Sequence, residues 1–136
     1  MIYEYWLAGI KEISDRKKRI LRETYRSGKA IYYIEETALR ASEDISEKDI
    51  EILLKAKRKK DLKDKWKKLD EKHIQFIPYY VPEYPEKLRN IQDPPYALYV
   101  LGKLPENNQK AAAIVGARRC TPYGEQMALE LSLIHI

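Results

Sequence analysis

Proline placement limits this chain more than any other feature. Six of its seven prolines lie between Pro78 and Pro105, and the seventh is Pro122. Each fixes its own φ and biases the preceding residue toward extended backbone, so Tyr79 to Pro85 and Asp93-Pro94-Pro95 are predicted to be non-helical. The residues before Pro78 escape that restriction, and their apolar positions recur at helical spacing. Charge divides at the same place: 20 Lys+Arg against 15 Asp+Glu up to Ile77, then 6 against 6. A boundary is therefore expected near Lys72. Residues 1–72 form a small basic helical domain, and residues 73–136 form a segment of strands and turns.

With 136 residues, 35% charged and 44% apolar, the chain suits a globular protein and excludes a disordered tail or a fibre. No apolar run approaches the ~18 residues of a membrane span. The start, Met1-Ile-Tyr-Glu-Tyr-Trp, lacks the basic-then-apolar pattern of a signal peptide. A single cysteine, Cys120, gives neither a disulfide nor a cysteine metal site, so a cytoplasmic location with no membrane partner is expected. The net charge of +5 leans toward polyanionic partners.

Within the helical part, Ser14 reads as an N-cap, and Ile20, Leu21, Thr24 and Tyr25 share a face before Gly28 ends the helix. A second helix is predicted over Ile31 to Leu39, and Ser42 or Ser46 opens a third carrying Ile50, Leu53 and Leu54. Leu7-Ala8-Gly9-Ile10-Lys11 is a degenerate echo of a helix-hairpin-helix turn. Lys11 stands where a second glycine would let the backbone reach a phosphate, and an ordinary turn between helices is the simpler account. From Lys55 to Lys72 there are ten cations against four acids. That run suits either a nucleic-acid stripe or one amphipathic helix whose Leu62, Trp66 and Leu69 face inward.

His73 to Ile77 alternates apolar and polar residues and predicts a strand, and Tyr96 to Leu101 predicts another that Gly102 ends. His73 has no companions at ligand spacing, so no metal is expected. Ala111 to Val115 is a continuous apolar run, as in a strand buried on both faces of a parallel sheet. Gly116 permits a tight exit, Thr121 is an N-cap, and Pro122 sits at the favoured first position of a helix running through Met127 and Leu131. Strand, short loop and helix N-terminus together make an anion-binding turn, to which Arg118 or Arg119 adds a charge-assisted clamp. Neither a dinucleotide nor a P-loop glycine pattern is present. The alternative is a packed strand–helix turn with solvated arginines.

Three ordered motifs resemble one known family. Tyr84-Pro85-x-x-Leu88, Ile91-x-Asp93-Pro94-Pro95-x-x-Leu98-Tyr99-Val100-x-Gly102 and Ile114-Val115-Gly116-x-Arg118-Arg119-x-Thr121-Pro122-Tyr123-Gly124 together resemble the DNA-processing protein A (DprA/Smf) family. The resemblance implies an α/β protein: a SAM-like or helix-hairpin-helix-like helical domain, then the start of an extended Rossmann-like fold. It implies single-stranded DNA binding, a role in DNA uptake and natural transformation, delivery of strands to the recombinase RecA, and a homodimer. It implies no catalytic residue and no cofactor. Gly116, Arg118, Arg119, Thr121 and Gly124 fall on the family's phosphate-binding motif, and Ala117 replaces its commoner Ser or Thr.

Family members continue into a second glycine-rich motif that has no counterpart here, so the resemblance implies an N-terminal fragment. The last six residues, Leu131-Ser-Leu-Ile-His-Ile136, are what the transposon-end adapter of tagmentation libraries encodes in one frame (ctg tct ctt ata cac atc). Residues 131–136 are therefore expected to be adapter-derived, the alternative being a native amphipathic helix end. Two other functions fit parts of the chain. A Rossmann-like nucleotide hydrolase needs an acidic catalytic motif after the glycine turn, and none is placed to serve. A basic helical protein-interaction module requires only residues before Pro78.

Overall fold

The computed structural model describes residues 1–42, 45–105, 115–117 and 119–133. The first helix, α1 (Ile2–Ala8), ends at Gly9 in right-handed geometry, with Leu7 and Ile10 buried on either side. This is an ordinary helix-to-helix turn. Ser14 then caps α2 (Asp15–Tyr25), its Oγ accepting from the Lys17 N–H at 3.4 Å.

Gly28 does not end that helix. The left-handed stop is Arg26, at φ 69°, and Gly28 is the buried first residue of α3 (Gly28–Tyr33), capped by Ser27. A Cβ on Gly28 would lie 2.7 Å from the Tyr3 carbonyl oxygen, so glycine is needed for the close approach of α1 rather than for backbone freedom. Ile20 faces outward at 46% exposure, while Leu21 is buried.

The helix predicted over 31–39 is two helices, α3 and α4 (Glu36–Arg40), parted by Ile34 at ψ 137°. The carbonyl of Ile34, freed by the break, accepts from Lys57 Nζ at 2.8 Å. Burial holds the Lys57 ammonium below the usual lysine range. Of the two candidate caps, Ser46 opens α5 (Glu47–Lys57), accepting from the Asp49 N–H at 3.2 Å.

The basic run is likewise not one helix. It breaks between α5 and α6 (Leu62–Glu71), where Lys55 stands three and four positions before Arg58 and Lys59, and Lys57 three before Lys60, like-charge spacings that disfavour a continued helix. Leu62, Trp66 and Leu69 are half-buried along α6. Trp66 packs edge-on to Tyr5 and Phe76, with ring centroids 5.4 and 5.9 Å away, as a half-buried partner of those rings outside the two buried clusters.

Both predicted strands form. β1 (Ile74–Pro78) pairs antiparallel with β2 (Ala97–Leu101), Ile74 opposite Leu101 and Pro78 opposite Ala97. Gly102, at φ 90°, ends β2. Between the strands the proline-rich stretch is irregular apart from a short helix, α7 (Glu86–Arg89). Tyr84 is 1% exposed and donates its hydroxyl to the Pro95 carbonyl at 2.9 Å, while Arg89 ties down the Val81 carbonyl at 2.7 Å. Ile77, Tyr84 and Val100 form a small core with Leu88 and Leu98 against it. The first two sequence motifs thus consist largely of packing residues.

The larger core joins Leu7, Ile31, Leu39, Ile50 and Leu53 of the helices and Ile13 of the turn between α1 and α2 to Tyr96, which precedes β2. The division drawn near Lys72 falls between α6 and β1, and polar contacts cross it as well. Buried Glu4 accepts from the Gly28 N–H at 2.9 Å and from the Tyr96 hydroxyl, and pairs with Arg22 at 3.5 Å. Arg22 in turn lies over the Tyr80 ring, 3.5 Å from its centroid. Arg19 reaches Asp93 at 3.3 Å and donates to the Pro94 carbonyl. Burial, with Glu4 beside it, pushes the Tyr96 hydroxyl well above the usual tyrosine range.

Among the described residues the protein is therefore a mixed helix and strand structure with one antiparallel strand pair. The strand predicted at Ala111 to Val115 lies outside the described residues except at its last position. Val115 is irregular and 89% exposed, contrary to the buried position expected of it. Among the described residues, no helix is long and apolar enough to cross a membrane.

Candidate nucleic-acid interface

The turn singled out in the sequence leads into α8 (Pro122–Leu133), the longest helix described. Pro122 takes its first position, where a missing N–H costs no hydrogen bond. Thr121 caps it: its Oγ1 accepts from the Gly124 N–H at 3.2 Å, and its carbonyl accepts from the Glu125 N–H at 3.0 Å. The Tyr123 N–H is the remaining donor of that turn and has no partner among the described residues. The cap therefore takes up part of the anion-holding capacity that a bare helix N-terminus offers.

Gly116 is exposed, and a Cβ built on it would meet nothing within 4 Å, so space for a ligand is open beside its backbone. Arg119 is exposed and makes no ion pair among the described residues. Gly124 lies inside the first turn of α8, where a Cβ would make ordinary contact with Thr121 Oγ1 at 3.4 Å. Arg118 lies outside the described residues. Of the five site residues, the structure thus brings Thr121 and Gly124 into direct contact and leaves Gly116 and Arg119 facing solvent.

A second basic feature escaped the sequence. Where the Lys55–Lys72 run bends between α5 and α6, a groove of about 770 Å³ opens against α1 and β2. Tyr5 and Tyr99 contribute aromatic surface to it, and Lys48, Lys55, Lys59 and Lys65 contribute charge. Tyr5, Trp66, Phe76 and Tyr99 form one aromatic array, with Tyr5 and Tyr99 centroids 6.1 Å apart and Phe76 and Tyr99 centroids 5.4 Å apart. The only signal in the sequence was the basic run itself. The aromatic residues lie far from it along the chain and join it only on folding.

None of the curated proteins and none of the solved structures compared with the chain matches it. Residues 75–133, which hold the three motifs and all five site residues, match the model of the family described as DNA recombination-mediator protein A. That match bears out the resemblance to the DNA-processing protein A family and points to a role in DNA processing.

Proposed function

We propose that this protein binds single-stranded DNA through the turn from Gly116 to Gly124. Arg118 and Arg119 contact successive phosphates, and the Tyr123 N–H at the start of α8 adds a backbone donor. The observation that carries this reading is the family match over residues 75–133, which includes that turn. The exposed Arg119, the open space at Gly116 and the Thr121 cap are consistent with it.

Phosphate contacts of this kind hold a strand without reading its sequence. They suit a mediator that keeps unpaired DNA available and passes it on. In this reading the protein acts in the cytoplasm on DNA entering by natural transformation. It works as a homodimer and transfers the strand to RecA, on the Rossmann-like sheet that the resemblance implies. It performs no chemistry on the nucleic acid and needs no cofactor.

Fluorescence anisotropy with labelled unpaired and duplex oligonucleotides tests the reading. Binding is expected to favour the unpaired strand, and Arg118→Ala is expected to weaken it by similar factors for different sequences. Equal affinity for duplex, or an Arg118→Ala protein that binds like the parent, contradicts it.

A further inference from the structure

We infer that the groove between α5 and α6 is a second site, one that holds a single nucleotide unit by stacking its base on tyrosine and neutralising its phosphate with lysine. Its volume of about 770 Å³ falls within the ~300–1,000 Å³ common to small-molecule sites. Tyr5 and Tyr99 supply the π-faces. They are held by Trp66 and Phe76, whose rings meet them edge-on or tilted at 5.4 to 5.7 Å, so the stacking surface is fixed before a ligand arrives.

The charge around the groove is complementary to a phosphate. Four lysines line it against two acids, Glu12 and Asp61. Asp61 is taken up by Lys65 at 2.7 Å, whereas neither Lys55 nor Lys59 is held in an ion pair among the described residues. Two free ammonium groups beside aromatic surface match a base joined to a phosphate. They match an acidic peptide less well, since it would leave the ring faces without a planar partner.

The same chemistry arises from a free mononucleotide or from one unit of an unpaired strand. Of the groove's aromatic lining only Tyr99 belongs to the family-matched segment, and the inference does not depend on the Gly116–Gly124 turn.

Isothermal calorimetry with thymidine monophosphate, inorganic phosphate, a short oligodeoxythymidylate and polyglutamate separates the cases. The comparison uses the protein, its Lys55→Glu/Lys59→Glu variant, Tyr99→Ala, and Arg118→Ala/Arg119→Ala. Thymidine monophosphate is expected to bind more tightly than inorganic phosphate. Its affinity is expected to fall about tenfold or more in each groove variant and to persist in the double arginine variant. The lysine reversals alter exposed side chains, so an unchanged circular dichroism spectrum separates lost binding from lost folding. In the Arg118→Ala/Arg119→Ala protein, tighter binding of the oligonucleotide than of the mononucleotide identifies a strand as the source, and equal binding identifies the free nucleotide. Affinity for thymidine monophosphate that is absent, or unchanged by the lysine reversals, overturns the inference, as does stronger binding of polyglutamate. An oligonucleotide that responds to the arginine variant alone leaves the proposed function standing and removes the groove.

Discussion

Replacing Glu4 by alanine is expected to remove much of this protein's stability, and the size of the loss follows from its partners. The Glu4 side chain is 8% exposed and accepts hydrogen bonds from the Gly28 N–H and the Tyr96 hydroxyl, each a bond to a charged acceptor. Such bonds contribute about 1.5–3 kcal/mol apiece. Arg22, with its side chain 21% exposed, would lose its carboxylate, and its buried Nε has no hydrogen-bond partner to replace it. Breaking a buried pair by removing one member costs about 3–5 kcal/mol, and that range is the expectation for Glu4→Ala. Against the ~5–15 kcal/mol total of a typical small protein, this brings the variant close to unfolding.

Urea unfolding followed by far-ultraviolet circular dichroism measures it. Tyr96→Phe is expected to lose about 1.5–3 kcal/mol, and the double variant less than the sum, because both changes remove the same hydrogen bond. A Glu4→Ala protein within about 0.5 kcal/mol of the parent would refute the idea that this network joins the helices to the strand segment.

Gly28→Ala places a methyl group 2.7 Å from the Tyr3 carbonyl oxygen and 2.9 Å from its carbon, so a loss of about 1–3 kcal/mol is expected in the same unfolding assay. Asp49 gives an acid dependence. Burial alone would raise its pKa, but Lys17 at 2.5 Å and the Ser46 hydroxyl outweigh that and hold it below the ordinary 3.8. A carboxyl depressed in the folded state stabilises it above the unfolded pKa, and the contribution disappears as pH falls through the folded value. The stability gap between the parent and Asp49→Asn should therefore be full at neutral pH and close below about pH 4, read from urea midpoints across that range. Thr121→Ala removes the α8 cap and is expected to cost the helix about 1 kcal/mol, measured as faster amide exchange at Gly124.

Local chemistry was legible in the sequence. Ser14, Ser46 and Thr121 cap the helices they were expected to open. Ile50, Leu53 and Leu54 are buried, and both strands lie where alternation and proline punctuation put them. What was not legible depends on contacts distant in the chain. Gly28 looks like a helix stop until α1 is found against it, and Glu4 meets Tyr96 across 92 positions. The break at Ile34 is supported by Lys57, whose role no window around residue 34 reveals. The basic run read as one helix because apolar positions recur on both sides of Arg58 to Asp61, where like charges three and four apart disfavour continuing α5.

The candidate site divides in the same way. Its cap is a short-range signal and is present as expected. The tyrosine and lysine groove is assembled from α1, α5, α6 and β2, and no single stretch of sequence contains it.

The salt dependence of DNA binding tests the central claim most directly. A strand held through phosphates by Arg118 and Arg119 gives an affinity for oligodeoxythymidylate that falls linearly with salt on logarithmic axes. Removing both guanidinium groups should reduce that slope by about 1.4, at roughly 0.7 for each phosphate no longer neutralised. The account predicts that shallower slope for Arg118→Ala/Arg119→Ala. An unchanged slope, or parent affinity that does not respond to salt, would contradict it.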